Sequence, residues 1–251
     1  MNTTPIDLVP VLIRARQLTK TFGNFTAVKS IDFDIRQGEI LGFLGPNGAG
    51  KTTTIRMIMG LLQATSGSIF IKGYDSRTER RRIKGFLGYM SQKYFLYPLL
   101  TAEENAEFFG GIAGLDASTI RLRQTRLREQ IGAQLTRLKV QDLPPGIRQK
   151  VALHVCLMNE PEIILLDEPT SGVDPEVRRE FWLEIYRLKK RGRTIMVTTH
   201  NLDEAEYADR ILIINRGEII LTGDPQDLVE RRGTGTMEDL FKEAVSRHGQ
   251  N

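Results

Sequence analysis

The stretch EILGFLGPNGAGKTT, residues 39–53, decides the fold of this chain. It is a short apolar run that ends in a glycine-rich loop and a Lys-Thr pair. Gly45, Gly50, Lys51 and Thr52 fit the pattern G-x-x-x-x-G-K-[ST], in which small residues let backbone N–H groups surround the phosphates of a nucleotide. In such a loop Lys51 reaches the β and γ phosphates, and the hydroxyl of Thr52 ligates Mg²⁺.

The residues on either side of this loop support the same interpretation. An apolar strand is predicted over residues 40–44, and a helical pattern follows over residues 53–61. The N-terminus of that helix favours an anion, because its free N–H groups and its dipole both attract negative charge. The sequence therefore predicts a bound nucleoside triphosphate. The residues predicted to surround its phosphates are Gly45, Pro46, Asn47, Gly48, Ala49, Gly50, Lys51, Thr52 and Thr53.

Size and composition predict one globular core with room for an inserted subdomain, since 40% of the 251 residues are hydrophobic. The net charge of +4 is small, and we interpret the basic runs at residues 77–84 and 121–128 as solvated helix faces. We therefore expect no nucleic-acid partner. Cys156 is the only cysteine in the sequence, which rules out a disulfide within it and favours a reducing cytoplasm.

The sequence also bears on membrane contact. No stretch approaches the roughly 18 apolar residues of a membrane span. The apolar run at residues 8–13 is short, is interrupted by Pro10 and follows no basic region. We expect any contact with a membrane to go through a partner.

The chain alternates between strand and helix patterns around one long helical stretch. Residues 13–35 alternate as in a half-exposed antiparallel sheet, whereas residues 93–160 are mostly helical. Within that stretch, residues 101–104 form a capping box, and apolar residues recur at near-helical spacing over residues 121–138. These apolar residues are Leu122, Leu127, Ile131 and Leu135.

Two acidic residues follow a strand that is predicted to be fully buried. Residues 163–166 are uniformly apolar, as in a buried parallel strand, and Asp167 and Glu168 come directly after them. Ligands of open α/β sheets bind at this end of the strands. Asp167 can therefore bind Mg²⁺ through water, and Glu168 can act as the general base toward a water molecule.

Taken in order, the motifs resemble those of the ATP-binding subunits of ABC transporters over nearly the whole chain. The matching features are Phe22, GPNGAGKTT from Gly45, Gln92, LLDEP from Leu165, SGVD from Ser171, and His200. The resemblance implies a P-loop NTPase of α/β class with a mixed central sheet, an antiparallel β subdomain and an inserted α-helical subdomain. It implies an ATP-binding domain over residues 1–230, with the helical subdomain at about 93–160, and a tail helix within residues 231–251.

The resemblance also implies roles for single residues. Gln92 senses the γ-phosphate and Mg²⁺ and couples them to the helical subdomain, and His200 contacts the γ-phosphate beside the water held by Glu168. Phe22 occupies the position that stacks on adenine, although the spacing alone fits an ordinary core aromatic equally well. Gly146 begins the helix that completes the ATP site of a second subunit, so the family works as a head-to-tail dimer.

One departure from the family pattern concerns this last helix. Where the family usually has Leu-Ser-Gly-Gly, the chain has Leu143-Pro144-Pro145-Gly146. The serine hydroxyl is absent, and prolines carry no N–H. Losing a charge-assisted hydrogen bond typically costs about 1.5–3 kcal/mol. We therefore expect pairing with a different ATP-binding chain or domain that has an intact signature, rather than a homodimer.

The resemblance thus implies an ATPase that exports a substrate through separate transmembrane permease subunits, bound peripherally at the cytoplasmic face of the plasma membrane. Two alternatives stay open. One is a soluble ATPase of the same family that acts on ribosomes or DNA, although such proteins usually fuse two nucleotide domains or insert long coiled coils. The other is a regulatory nucleotide-binding subunit with weak hydrolysis, against which Glu168 and His200 argue.

Overall fold

A computed structural model describes residues 9–92 and 96–248 of the chain. The predicted domain limits at residues 1 and 251, and the predicted start of the helical segment at residue 93, lie outside the described residues. So does residue 8, where the short apolar run was predicted to begin.

An antiparallel sheet forms the first layer, as the alternating pattern of residues 13–35 predicts. Its strands pair in the order β2-β1-β4-β5, and each neighbouring pair is antiparallel. Inward-facing residues of this layer, such as Ile13 and Ile35, are fully buried, while Asp32 between them faces solvent. The strands are β1 (Val11–Phe22), β2 (Phe25–Arg36), β4 (Ser66–Ile71) and β5 (Tyr74–Asp75).

A six-stranded sheet forms the centre, with strand order β10-β9-β3-β8-β7-β6. All neighbouring pairs are parallel except β9 and β10, which form an antiparallel hairpin. Strands β3, β7 and β8 are buried on both faces, which explains their nearly continuous apolar sequences. The strands are β3 (Ile40–Leu44), β6 (Leu87–Met90), β7 (Ile163–Asp167), β8 (Thr194–Thr199), β9 (Arg210–Asn215) and β10 (Glu218–Gly223).

Two hydrophobic clusters cover the two faces of the central sheet. Along β3, Leu41 and Phe43 belong to the cluster shared with the antiparallel sheet, whereas Ile40 and Leu44 belong to the cluster shared with the helices. The helices are α1 (Lys51–Ile58), α2 (Arg80–Lys84), α3 (Ala102–Ile112), α4 (Ala117–Ile131), α5 (Ala133–Thr136), α6 (Pro145–Cys156), α7 (Pro175–Lys190), α8 (Pro225–Arg232) and α9 (Met237–His248). Short 3-10 helices span Val140–Asp142 and Leu202–Tyr207.

Helices α3 to α6 lie between β6 and β7, where the sequence predicts a helical segment. The predicted capping box is confirmed: Thr101 accepts from the N–H of Glu104, and the Glu104 carboxylate accepts from the N–H of Thr101. The apolar residues that recur over residues 121–138 do not all lie on one helix, because the chain breaks at Gly132, whose φ is 90°. Leu122 is also 52% exposed, so it lies off the buried face that Leu127 and Ile131 form.

The remaining elements follow the sequence with shifted ends. The helix after the glycine-rich loop is α1 rather than residues 53–61, because its first turn already includes Lys51 and its end precedes Gly60, whose φ is 65°. Helix α9 buries Met237, Leu240 and Ala244 against Leu202–Tyr207 and β10. Within residues 9–92 and 96–248, no helix has both the length and the apolar character that crossing a bilayer requires.

Glu103 connects three of the inserted helices, α3, α4 and α5, through side-chain hydrogen bonds. Arg128 donates two hydrogen bonds to its carboxylate, at 2.7 and 2.9 Å, and the Thr136 hydroxyl donates a third at 2.6 Å. The Arg128 bonds, aided by Thr136, lower the pKa of Glu103 to about 2. Because the folded pKa lies below the unfolded value, these bonds stabilise the fold fully above about pH 4.5 and progressively less as the pH falls toward 2.

We expect Glu103→Gln to lower the free energy of unfolding at pH 7 by about 0.5–1 kcal/mol, a small value because the pair is partly solvated. The difference from the parent should shrink between pH 4.5 and 2. Thermal unfolding as a function of pH measures both effects, with Glu107→Gln on the exposed face of α3 as the control. A difference that stays constant down to pH 2 would contradict the assignment.

Candidate nucleotide site

Three loops meet at the carboxyl edge of the central sheet. Strands β3, β8 and β7 are neighbours and run parallel, so their last residues lie side by side: Leu44 pairs with Thr199, and Thr198 pairs with Asp167. The glycine-rich loop, the Asp167-Glu168 pair and His200 each follow one of these strands directly. Parallel pairing thus brings the glycine-rich loop next to residues that lie more than 100 positions later in the sequence.

The glycine-rich loop is shaped by close backbone contacts. A Cβ on Gly50 would lie 2.6 Å from the carbonyl oxygen of Ala27, and the φ of Gly50 is 110°, a conformation that other residues rarely adopt. A Cβ on Gly45 would lie 2.2 Å from the carbonyl oxygen of Ile214. Glycine is therefore required at both ends of the loop, and Gly50 leads directly into the first turn of α1.

Lys51 lies in the first turn of α1 with only 4% of its surface exposed. Its ammonium group donates to the carbonyl oxygens of Gly45, at 2.7 Å, and Pro46, at 3.1 Å, so the side chain follows the inside of the loop. It also forms an ion pair with the Glu168 carboxylate at 3.0 Å. The cation is thereby fixed at the N-terminus of a helix that has no acidic residue in its first turn, which favours an anion there.

Asp167 lies at the end of β7 between two hydroxyl groups. Thr52 donates to Asp167 Oδ1 at 3.1 Å, and Thr198 donates to the same oxygen at 2.7 Å. Asp167 Oδ2 is buried without a hydrogen-bond partner. A hydroxyl and a carboxylate with a free oxygen are ligands that Mg²⁺ accepts when phosphate oxygens and water complete its shell. Nowhere in residues 9–92 and 96–248 do three His, Cys, Asp or Glu residues form a metal cluster, so Mg²⁺ would need those additional ligands.

Glu168 is the centre of the site, and three side chains from different loops contact its carboxylate. Lys51 pairs with Oε1, while Gln92 Nε2 donates to Oε2 at 2.9 Å and His200 Nδ1 lies 3.0 Å from the same oxygen. Glu168 is only 6% exposed. The three residues predicted as catalytic, Gln92, Glu168 and His200, are thus brought together.

The backbone of Glu168 is held in an unusual conformation. Its φ is 48°, in the left-handed region that costs a non-glycine residue about 1 kcal/mol or more. The N–H of Glu168 donates to both the carbonyl oxygen and the hydroxyl of Thr198, at 3.1 and 3.0 Å. These bonds stabilise the turn that directs the carboxylate toward Lys51.

Two predicted site residues lie on other elements. Phe22 ends β1 and is 48% exposed, with Lys20 Nζ 4.9 Å from its ring centre, so it is not a core aromatic. Gly146 lies in the first turn of α6, where a Cβ would come within 2.9 Å of Val177 on α7. Neither residue joins the Glu168 cluster.

Sequence reasoning missed three polar residues around this cluster: Thr198, Gln149 and Glu204. Each is buried, and each forms a hydrogen bond to or next to the Asp167–Thr170 segment. The signal for Thr198 was a hydroxyl residue at the end of an otherwise apolar strand. For Gln149 and Glu204, the signal was a polar residue on a buried helical face, which sequence periodicity alone does not distinguish from a solvated one.

Comparison with known proteins gives a consistent result. Residues 28–171 match the sequence model of a family described as ABC transporter. The chain is 45% identical over 240 residues to the probable multidrug ABC transporter ATP-binding protein YbhF of Escherichia coli, covering 93% of this chain and 42% of that protein. It thus spans less than half the length of that relative.

Two further matches cover most of the protein to which this chain is aligned. The linearmycin resistance ATP-binding protein LnrL of Bacillus subtilis is 37% identical over 237 residues, which is 94% of this chain and 76% of that protein. Among solved structures, the dimeric post-hydrolysis state of the ATP-binding cassette MJ0796 bound to ADP and Pi superimposes with a TM-score of 0.76 at 26% identity. That match covers 84% of this chain and 98% of the cassette.

The hydroxyl of Thr198 contacts both acidic residues, because it donates to Asp167 and accepts from the N–H of Glu168. In Thr198→Val the side chain keeps its shape, but Asp167 loses a donor and the N–H of Glu168 loses one acceptor. Both groups keep one partner, the Thr52 hydroxyl for Asp167 and the Thr198 carbonyl oxygen for the N–H of Glu168, so the cost is that of two lost hydrogen bonds, about 1–3 kcal/mol in total. We expect that loss in denaturant unfolding at pH 7. Thr222→Val on the exposed part of β10 is the control and should change the free energy of unfolding by less than about 0.5 kcal/mol. Equal effects of the two substitutions would contradict the role of Thr198.

Proposed function

The chain belongs to the ABC transporter family, and we propose that it binds ATP with Mg²⁺ and hydrolyses it to drive export through separate membrane-spanning subunits. The observation that carries this proposal is the Glu168 carboxylate, which contacts Lys51, Gln92 and His200 at the carboxyl edge of the sheet. A loop that only bound nucleotide would not need a buried carboxylate and an imidazole beside its lysine.

Binding of the triphosphate follows from the loop and α1. The N–H groups of the loop and of the first turn of α1 surround the phosphates, and Lys51 exchanges its contact with Glu168 for the β and γ phosphates. Thr52 and Asp167 are the residues that would hold Mg²⁺, which neutralises charge on the phosphates when bound. Phe22 stacks on the adenine ring, since its ring is exposed at the end of β1.

Hydrolysis requires a water molecule in line with the γ-phosphate and a group that accepts its proton. Glu168 takes this role, because its carboxylate lies at the phosphate end of Lys51. His200 and Gln92 are both hydrogen-bonded to Glu168. When nucleotide and Mg²⁺ are bound, His200 would orient the γ-phosphate and Gln92 would contact the γ-phosphate and Mg²⁺. Once Lys51 has turned to the phosphates, Glu168 is free to accept a proton.

The partners we propose are transmembrane permease subunits and a second ATP-binding subunit or domain. YbhF and LnrL are named as a multidrug transporter protein and a resistance protein, which favours export as the direction of transport. The chain would then lie at the cytoplasmic face of the membrane, with residues 1–230 as the ATP-binding domain, the helices at about 93–160 facing the permease, and residues 231–251 as a tail. The MJ0796 cassette is dimeric with ADP and Pi, which supports a dimer here.

The Pro144-Pro145 sequence is the reason that we favour a heterodimer. Pro145 starts α6, a position that suits proline, but Pro144 at the N-cap has no side-chain hydrogen bond to offer. The first turn of α6 therefore presents the N–H of Gly146 without a hydroxyl beside it. An ATP bound by a partner would be held more weakly by this helix than the ATP on Lys51 is held by an intact partner helix.

We expect Glu168→Gln to reduce steady-state phosphate release at least about 100-fold while Mg-ATP still binds, because the amide cannot accept the proton. Glu162→Gln is the control, because the Glu162 side chain is exposed and lies just before β7, and this variant should match the parent. Phosphate release that is negligible in the parent both alone and in mixtures with candidate partners, and unchanged by Glu168→Gln, would instead favour a regulatory nucleotide-binding subunit.

The heterodimer has its own test, in which ATP hydrolysis is measured for the chain alone, for candidate partners and for mixtures. We expect strong turnover only in a mixture, and expect the double substitution Pro144→Ser, Pro145→Gly to accelerate only the site that α6 completes. A gain of about 10-fold or more corresponds to one recovered charge-assisted hydrogen bond. Vigorous cooperative turnover by the parent chain alone would contradict the heterodimer.

A further inference from the structure

We propose that Glu204 and Gln149 are positioning residues that hold the Pro169-Thr170 dipeptide from opposite sides. This dipeptide comes directly after Glu168 and begins the loop of residues 169–174 that leads into α7. The inference rests on the proposed ATPase activity and adds two residues to it. Neither touches the reacting atoms; each acts through the loop that carries Glu168.

Glu204 holds the dipeptide from the side of His200. The hydroxyl of Thr170 donates to Glu204 Oε1 at 2.5 Å, and Arg178 Nε on α7 lies 3.3 Å from the same oxygen. Glu204 lies in the short helix Leu202–Tyr207, which begins two residues after His200. The contact therefore joins the loop after Glu168 to the segment after His200. The side chains of Glu168 and His200, which lie 3.0 Å apart, are thus also connected through the segments that follow them in the chain.

Gln149 holds the dipeptide from the side of α6. Its Nε2 donates to the carbonyl oxygen of Pro169 at 2.5 Å, and its side chain is fully buried. Gly146, one turn earlier in α6, packs against Val177 so closely that a Cβ would lie 2.9 Å from it. The first turns of α6 thus contact both the dipeptide and α7. In the proposed dimer this is the helix that faces the ATP of the second subunit.

The chemistry of Glu204 favours a positioning role over simple packing. The residue is 2% exposed, and its Oε2 has no hydrogen-bond partner. Burying a carboxylate is costly even when a cation is nearby, and well-packed apolar residues often serve stability equally well. A directional acceptor at this position fixes where the Thr170 hydroxyl lies, which an apolar side chain cannot do.

The two contacts have a mechanical consequence. Because adjacent residues are held by α6 on one side and by the His200 segment on the other, a shift of α6 displaces Pro169, Thr170 and the Glu168 backbone together. The path consists of direct hydrogen bonds rather than mere proximity. In the proposed dimer, α6 faces the ATP of the second subunit. These hydrogen bonds would therefore couple the state of that ATP to the hydrolysis site of this chain.

The test compares Thr170→Val, which keeps the shape of the side chain and removes the hydroxyl, with Thr170→Ser, which keeps the hydroxyl. In the full chain without nucleotide, we expect Thr170→Val to speed amide hydrogen exchange roughly 10-fold or more at residues 171–174 and 200–203. In ATP hydrolysis we expect kcat to fall roughly 10-fold, with KM changed less than about 2-fold. Thr170→Ser should stay near the parent in both measurements.

Two further variants make the result specific. Gln149→Met keeps the length of the side chain and removes its donor, and should also speed exchange at residues 170–172. Glu180→Gln is the control, because its exposed carboxylate on α7 pairs with Lys150 outside this network, and it should match the parent. If Thr170→Val speeds exchange throughout the chain, that variant has destabilised the whole fold. Gln149→Met then tests the proposal, through faster exchange at residues 170–172.

Several results would overturn the proposal. Unchanged exchange at residues 171–174 and 200–203 would do so whether or not the chain hydrolyses ATP. An unchanged kcat, or a KM that rises alone, would show that the contacts do not position Glu168. A loss in Thr170→Ser equal to that in Thr170→Val would assign Thr170 a packing role. A parent chain without phosphate release, both alone and in mixtures with candidate partners, would contradict the proposed function, and the exchange measurement would still decide the positioning contacts.

Discussion

The structure depends on the parallel pairing of β3, β8 and β7, which places the ends of three buried strands at one edge. At that edge a single carboxylate, Glu168, contacts a lysine, a glutamine and a histidine from three separate loops. Burying the Glu168 carboxylate costs free energy, so the hydrogen bonds around it must hold it in place. Thr198 holds its backbone, and the chain on its C-terminal side is held by Gln149 and, through Thr170, by Glu204.

The same edge of the sheet bears on the dimer that we propose. Its own loops supply the phosphate-binding groups and the acidic residues, whereas α6, the helix whose first turn carries Gly146, belongs to a different surface. A head-to-tail dimer brings such a helix to each nucleotide. In the heterodimer that we propose, the Pro144-Pro145 sequence makes the two sites unequal, because the site that α6 completes lacks a hydroxyl. Unequal sites suit a complex in which one nucleotide is hydrolysed and the other mainly holds the subunits together.

Much of the fold and the site could be predicted from the sequence. The glycine-rich loop, the buried strand before Asp167 and the capping box at Thr101 each have a local pattern that fixes both position and type. The break at Gly132 could not be predicted, because the apolar spacing continues across it and only the tertiary contacts decide where the helix ends. The contacts of Gln149 and Glu204 depend on pairing between distant segments, which local sequence patterns do not reveal.

The most direct test of the central claim is the affinity for Mg-ATP of the full chain and of Lys51→Met, which keeps the aliphatic part of the side chain. Lys84→Met, on an exposed helix face, is the control for the lost charge. We expect Lys51→Met to weaken Mg-ATP binding roughly 10- to 100-fold, because charge-assisted contacts to phosphate are lost, while Lys84→Met has no effect. Equal affinity of Lys51→Met and the parent would contradict the central claim.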